Sequence, residues 1–271
     1  MSFDPNAAAR PDSGVFGLFD EPDDASVVLV PVPWDATTSY RPGTARGPAA
    51  ILEASRQVDL FDVETGKPYL AKLAMLPENA RVPLMNEEAR ALAERIIEVG
   101  GDLGHDRDLH DALARVNELS CELDGLVYET VRAWLDRGKI VGVVGGDHST
   151  PFGSIKAHAE RYPELGILHV DAHADLRRAY EGFERSHASI MDNVMERVGV
   201  AKLVQVGVRD LCEEEMARIE ASNGRIATTF DVAVARARMT GALPSLFEEI
   251  ARALPRHVYV SFDVDGLDPT L

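Results

Sequence analysis

Asp171, His173 and Asp175 stand two residues apart, directly after the apolar run Leu165–Leu168. On an extended backbone such residues share one face, so three metal-capable side chains project the same way from a strand end. Two other apolar stretches end in the same chemistry. Lys139–Val144 leads into Gly145-Gly146-Asp147-His148-Ser149, and His257–Phe262 leads into Asp263-Val264-Asp265-Gly266-Leu267-Asp268-Pro269. Ligands of parallel α/β sheets bind beyond the carboxyl ends of the strands. A polar loop with helix-capping acids would explain one such segment, but not three.

Brought together, Asp171, Asp175, Asp263 and Asp265 with His148 and His173 make a pocket rich in carboxylates. Adjacent carboxylates repel and are driven towards protonation; bound dications remove that penalty. Four acids and two imidazoles exceed what one small cation takes from protein, and suit two metals sharing bridging carboxylates. Oxygen and nitrogen donors without cysteine suit two Mn²⁺, with Ni²⁺, Fe²⁺, Co²⁺ or Zn²⁺ as alternatives; the two imidazoles disfavour Mg²⁺. Two metals ~3.5–4 Å apart lower the pKa of a bridging water to roughly 7. The chemistry expected is hydrolysis at a planar electrophilic carbon or at phosphorus.

Placing these donors requires a sheet with short crossovers. Val27–Val32 reads as the first strand. The loop from Pro33 to Pro48, with Trp34, Tyr40 and Arg41-Pro42-Gly43-Thr44, is either a site wall or a structural Ω-loop. Pro48 opens a helix through Ser55, and Asp59 to Pro83 reads as turns and short extended pieces. Asn86 is expected to cap a helix to about Val99, stopped by Gly100-Gly101. Asp108 to Arg137 reads as a long amphipathic helix or a broken pair, with Gly125 as the point of interruption. A further helix runs from Thr150-Pro151 to Arg161, and Arg177 to Ile190 is a loop or broken helix. Beyond it, strands Lys202–Val208, Arg225–Phe230 and His257–Phe262 alternate with helices Glu213–Ser222 and Thr240–Leu254. That alternation is the signature of parallel βαβ units and an α/β fold. Without repeats or an internal linker, residues 1–26 read as an N-terminal arm able to pack on a neighbouring subunit, and 27–271 as one domain.

The net charge of −17, from 45 acids against 28 bases, argues against nucleic acid or an anionic membrane as partner. It weakly favours a cationic small substrate. Cys121 and Cys212 form no disulfide framework, which suits a reducing cytoplasm. The N-terminus has early acids and prolines in place of a signal peptide's apolar segment. No run reaches the ~18 apolar residues needed to span a bilayer.

The three strand-end segments resemble, in order and in full, the three signatures of the ureohydrolases, the family of arginases, agmatinases and formiminoglutamases. The resemblance runs from about residue 27 to the end and takes in the Pro33–Pro48 loop. It implies a three-layer α/β/α fold with a mainly parallel sheet, arginase-like, and a binuclear manganese centre. His148, Asp171, Asp175 and Asp263 would hold one ion, and His173, Asp171, Asp263 and Asp265 the other. A metal-bridging hydroxide would attack the guanidino carbon to release urea. Asp175 would orient it and pass its proton to the leaving amine, and His187, in Ser186-His187-Ala188-Ser189, would shuttle protons, work that suits an imidazole. Asp147 and Asp268 would brace loops. Homo-oligomers, trimeric or hexameric, are implied.

Arginases follow the second signature with an Asn and Ser that hold the amino acid's carboxylate; here Leu176-Arg177-Arg178-Ala179-Tyr180 stands there. The expectation is therefore an agmatinase-like enzyme acting on a small guanidino substrate. Glu181 is a candidate partner for its cationic end, while Arg177 would favour a guanidino acid. Alternatives are free guanidine, a guanidino acid or a formimino substrate, and, from another class, a weakly catalytic metal-binding protein. Family members continue past the third signature with a guanidinium-gripping Glu. The resemblance thus implies that a chain ending at Leu271 stops short of the domain's C-terminal part.

Overall fold

The computed structural model describes residues 3–268 and residue 270. Pro269 of the third signature lies outside the described residues. Chain contacts separate into two compact units, residues 1–154 and 155–271. Each contains one parallel sheet.

In the first unit the strand order is β2-β1-β3, with β1 at Val27–Val32, β2 at Leu73–Met75 and β3 at Ile140–Gly145. Helix α1 is Gly47–Ser55, with Pro48 in its first turn, where the missing N–H costs nothing. Two long helices, α2 (Arg81–Ile97) and α3 (Arg107–Asp136), pack on each other. Val82, Met85, Ala89, Ala93 and Ile96 are buried on α2, and Leu109, Ala112, Val116, Leu119, Leu123 and Val127 on α3. The spacing of three and four gives each helix one apolar stripe, and each large buried side chain contributes about 1.5–3 kcal/mol. The N-terminal segment packs on its own unit. Val15 and Leu18 are buried, Phe16 N–H donates to Ser55 Oγ at 2.9 Å, and the Arg56 guanidinium donates to the Ser13 carbonyl.

The structure decides one open alternative in this unit and corrects one expectation. The long helix is unbroken: α3 runs straight through Gly125, and Asp106 caps it by accepting from the N–H groups of Asp108 and Leu109. Asn86 is not a cap. Helix α2 begins five residues earlier, at Arg81, and Asn86 lies inside it. Its amide is used in a long-range pair. Asn86 Oδ1 accepts from Asp35 N–H at 2.8 Å, and its Nδ2 donates to Asp35 Oδ1 at 3.1 Å. Asp35 Oδ2 in turn accepts from the N–H groups of Gly43 and Ala45. Arg90, one turn on, donates to the carbonyls of Ala36 and Thr38. The Pro33–Pro48 loop is thus bolted to α2.

In the second unit the order is β6-β5-β4-β7, all parallel. Strands β4 (Gly166–Val170), β5 (Lys202–Val208), β6 (Ile226–Phe230) and β7 (Val258–Phe262) match the expected runs to within a residue or two. Helix α4 (Phe152–Arg161), whose first three residues belong to the first unit, precedes β4; α5 (Ile190–Arg197) and α6 (Glu213–Ala221) follow. A helix absent from the sequence reading, α7 (Asp231–Thr240), stands before α8 (Leu243–Ala253). The single helix expected from Thr240 therefore starts later. Gly241, at φ +73°, closes α7 in the left-handed conformation and separates the two. Among the described residues no helix is long and apolar enough to cross a membrane.

Candidate metal centre

The second signature begins where β4 ends. Asp171 follows Val170, is 1% exposed, and its Oδ1 accepts from His173 N–H at 2.7 Å. This short turn sets His173 beside two carboxylates: its Nδ1 lies 3.4 Å from Asp171 Oδ1 and 3.1 Å from Asp265 Oδ2. The third signature is fixed against the second. Asp263 N–H donates to the Val170 carbonyl at 2.9 Å, and Ala172 N–H donates to Asp265 Oδ1 at 3.2 Å. Asp263 Oδ1 accepts from Asp265 N–H, tightening the turn that presents Asp265. Gly266 must be a glycine, since a Cβ there would sit 2.9 Å from the Asp171 nitrogen.

Asp171, His173 and Asp265 accordingly form one group with candidate ligand atoms within 4.8 Å of one another. Asp175 offers a ligand atom equally close to Asp171 and His169. It is buried and held at φ +54°, a left-handed conformation that Asp tolerates better than most residues. Its carbonyl accepts from two N–H groups in the first turn of α5, those of Met191 and Asp192, so the helix start holds the loop in that conformation.

The electrostatics match a cation site. Hydrogen bonds to Asp171 and then Asp265 push the His173 pKa up to about 11, against the burial that opposes its charge. The carboxylates therefore hold a proton on His173 that a metal would replace. Oxygen and imidazole donors at this spacing fit a divalent cation of the Mn²⁺ type.

His148 follows β3 in the first unit. Its segment is locked to the end of β1 and the start of the Pro33–Pro48 loop: Gly146 N–H donates to the Val32 carbonyl and Asp147 N–H to that of Trp34. A Cβ on Gly146 would lie 1.9 Å from the Trp34 carbonyl oxygen. Asp147 braces the turn, its Oδ1 accepting from Ser149 N–H and Oγ. His187 sits in a one-turn helix, His187–Ser189, with its ring edge-on to Tyr180 at 6.1 Å between centroids. Its Nδ1 is buried and makes no hydrogen bond among the described residues.

Arg209 escaped the sequence reading. At the end of β5 it donates to the carbonyls of Asp265 at 2.5 Å, Leu267 at 3.0 Å and Gly266 at 3.4 Å, clamping the turn that carries Asp265. The available signal was a basic residue at a fourth strand end, in Gly207-Val208-Arg209-Asp210.

Comparison with known proteins agrees with this geometry. The Arginase family model matches residues 25–271. An N(1)-aminopropylagmatine ureohydrolase of Thermus thermophilus is 34% identical over 258 residues, covering 95% of this chain and 73% of the relative. An agmatinase of Bacillus anthracis is 31% identical, covering 91% of this chain and 70% of the relative. The solved agmatine ureohydrolase of Thermoplasma volcanium superposes with a TM-score of 0.66 at 23% identity, covering 93% of this chain and 71% of that one. This likeness shows the fold, α/β/α with parallel strands. The chain belongs to the arginase family, hydrolases that break C–N bonds in linear amidines.

Proposed function

We propose that this amidine hydrolase releases urea from a cationic guanidino compound, agmatine or a larger amine built on it. The observation that carries the reading is the Asp171–His173–Asp265 group at strand ends of a chain matched by the arginase family model. Agmatinases and aminopropylagmatine ureohydrolases stand among its relatives. Arg177 supports a substrate without a carboxylate. Its guanidinium lies over the Tyr180 ring of its own loop at 5.2 Å and 3.8 Å from Glu215 on α6, so its charge is already engaged.

The proposed ligands are those of the motif resemblance: His148, Asp171, Asp175 and Asp263 for one ion, His173, Asp171, Asp263 and Asp265 for the other. We take the ions as Mn²⁺. Two bound dications supply Lewis acidity that brings the pKa of water to roughly 7. The Asp175 carboxylate orients the attacking water, takes its proton and hands it to the leaving nitrogen. Water oxygen bonds to the guanidino carbon, the C–N bond breaks, and urea and the protonated amine leave. His187 relays the second proton of the attacking water to the leaving nitrogen, so that the amine departs protonated and no proton is left over. Residues 27–271 act as one metallohydrolase domain, and a trimeric or hexameric homo-oligomer in a reducing cytoplasm completes the reading. Neither cysteine forms a disulfide.

The test is urea release by Mn²⁺- or Ni²⁺-loaded protein from agmatine, N(1)-aminopropylagmatine, arginine, guanidinobutyrate and free guanidine, with His148→Ala as control. Urea from the two amines alone, lost in the control, supports the reading. Urea chiefly from arginine or guanidinobutyrate overturns the substrate assignment. No urea from any of them, with two metals bound per chain, overturns the reaction.

A further inference from the structure

His169 has the look of a metal ligand: it is fully buried and offers a ring nitrogen close to Asp171 and Asp175. Its hydrogen bonds say otherwise. Nε2 lies 2.8 Å from Asp171 Oδ2, and Nδ1 lies 3.0 Å from Gln205 Nε2. The amide orientation of Gln205 is decided by its other neighbours. Nε2 donates to the Ala174 carbonyl at 2.7 Å, which can only accept, while Oε1 accepts from Thr228 Oγ1 at 2.8 Å. With Gln205 Nε2 a donor, His169 Nδ1 is an acceptor. The ring proton is then on Nε2 and is donated to Asp171.

These residues form one row. His169 on β4 pairs in register with Gln205 on β5, and Gln205 with Thr228 on β6. In-register residues of adjacent strands share a face, so the row is written into the sheet itself. His169 and Gln205 are both fully buried, and an unmade bond there would leave a desolvated polar atom. Gln205 also holds the backbone between His173 and Asp175 through Ala174. One amide thus braces both ends of the second signature.

We propose that Thr228, Gln205 and His169 are positioning residues: His169 fixes the Asp171 carboxylate for metal binding and does not itself ligate. This rests on the metal-centre reading above. Outer partners of metal-binding carboxylates typically change affinity by about 10–100-fold.

The experiment is Co²⁺ and Mn²⁺ titration of the full chain, read by the Co²⁺ visible spectrum and by metal affinity. His169→Leu removes the donor; His169→Gln keeps an N–H near the Nε2 position. Gln205→Leu and Thr228→Val probe the row should His169→Leu fail to fold. Expected are a loss of about 10–100-fold and an altered spectrum for His169→Leu and Gln205→Leu. His169→Gln should recover affinity to within about threefold, and Thr228→Val should lose severalfold. His169→Gln as weak as His169→Leu would make the imidazole a ligand and overturn the proposal. So would unchanged affinity and spectrum in His169→Leu or Gln205→Leu. If the wild-type chain binds neither metal, the metal-centre reading itself falls, an outcome the wild-type titration alone identifies.

Discussion

The fold sets the charge state of His173 through two carboxylates. Between Asp171 and Asp265 its pKa rises from the ordinary 6.5 to about 11. A base with a raised folded pKa stabilises the fold fully below its unfolded pKa and loses that contribution as pH climbs through the folded value. Metal-free protein should therefore lose stability between about pH 6.5 and 11 through this group, and His173→Asn should flatten that decline. Urea denaturation midpoints across the range check it; parallel curves for the two proteins would sink the assignment. On the proposed ligand set protons and metal would compete for the same imidazole, so metal affinity should rise with pH over the same window. Arg209 acts at one remove. Its three carbonyl contacts hold the Asp265 turn, and Arg209→Met should lower Mn²⁺ affinity about tenfold, as loss of an outer partner does. Calorimetric titration would show it, and unchanged affinity would mean the turn holds its own shape.

Elements of the first unit are joined by a few polar bonds and close backbone approaches. Asn86 makes two hydrogen bonds to the buried Asp35, and Asn86→Leu should cost about 1–3 kcal/mol by leaving those groups unsatisfied. Two helical glycines give opposite predictions. Around Gly125 nothing lies within 4 Å of an added Cβ, so Gly125→Ala should stabilise α3 by about 0.5–1 kcal/mol. Around Gly153 an added Cβ would lie 2.3 Å from the Asp124 carbonyl and 2.6 Å from the Tyr128 nitrogen, both on α3. Gly153→Ala should destabilise by about 1–3 kcal/mol through overpacking. Denaturant midpoints of the pair decide both; a loss at Gly125 or a gain at Gly153 would contradict the helix packing.

For the whole molecule, charge and metal are the properties to perturb. A chain of net charge −17 attracts a cationic substrate, and salt screens that attraction. Raising ionic strength from about 0.02 to 0.3 M should lower kcat/KM for agmatine severalfold while kcat stays nearly constant; a flat profile would exclude steering. Chelation should lower the melting temperature by several degrees, because a metal at 100 times its Kd contributes about 2.7 kcal/mol. Readdition of Mn²⁺ should restore it.

Donor identity and spacing were local facts. Asp171, His173 and Asp175 each two apart, and acids after an apolar run at Asp263 and Asp265, already specified metal chemistry at strand ends, and alternation of runs specified a parallel α/β fold. These features survive without tertiary knowledge because strand periodicity and side-chain chemistry are properties of a few neighbouring residues. Local signals also misled. Asn86 has the composition of a cap, yet its partner Asp35 is 51 positions away. Gly125 has the composition of a break, yet a 30-residue helix with a continuous apolar stripe carries it. Only the folded sheet shows which polar residues meet. His169, Gln205 and Thr228 are single polar residues in three separate strands, meaningless until register pairs them. Arg209 became legible once the Asp265 turn lay against the end of β5. Register and long-range packing are cooperative outcomes of burying the whole core, and no short stretch of sequence contains them.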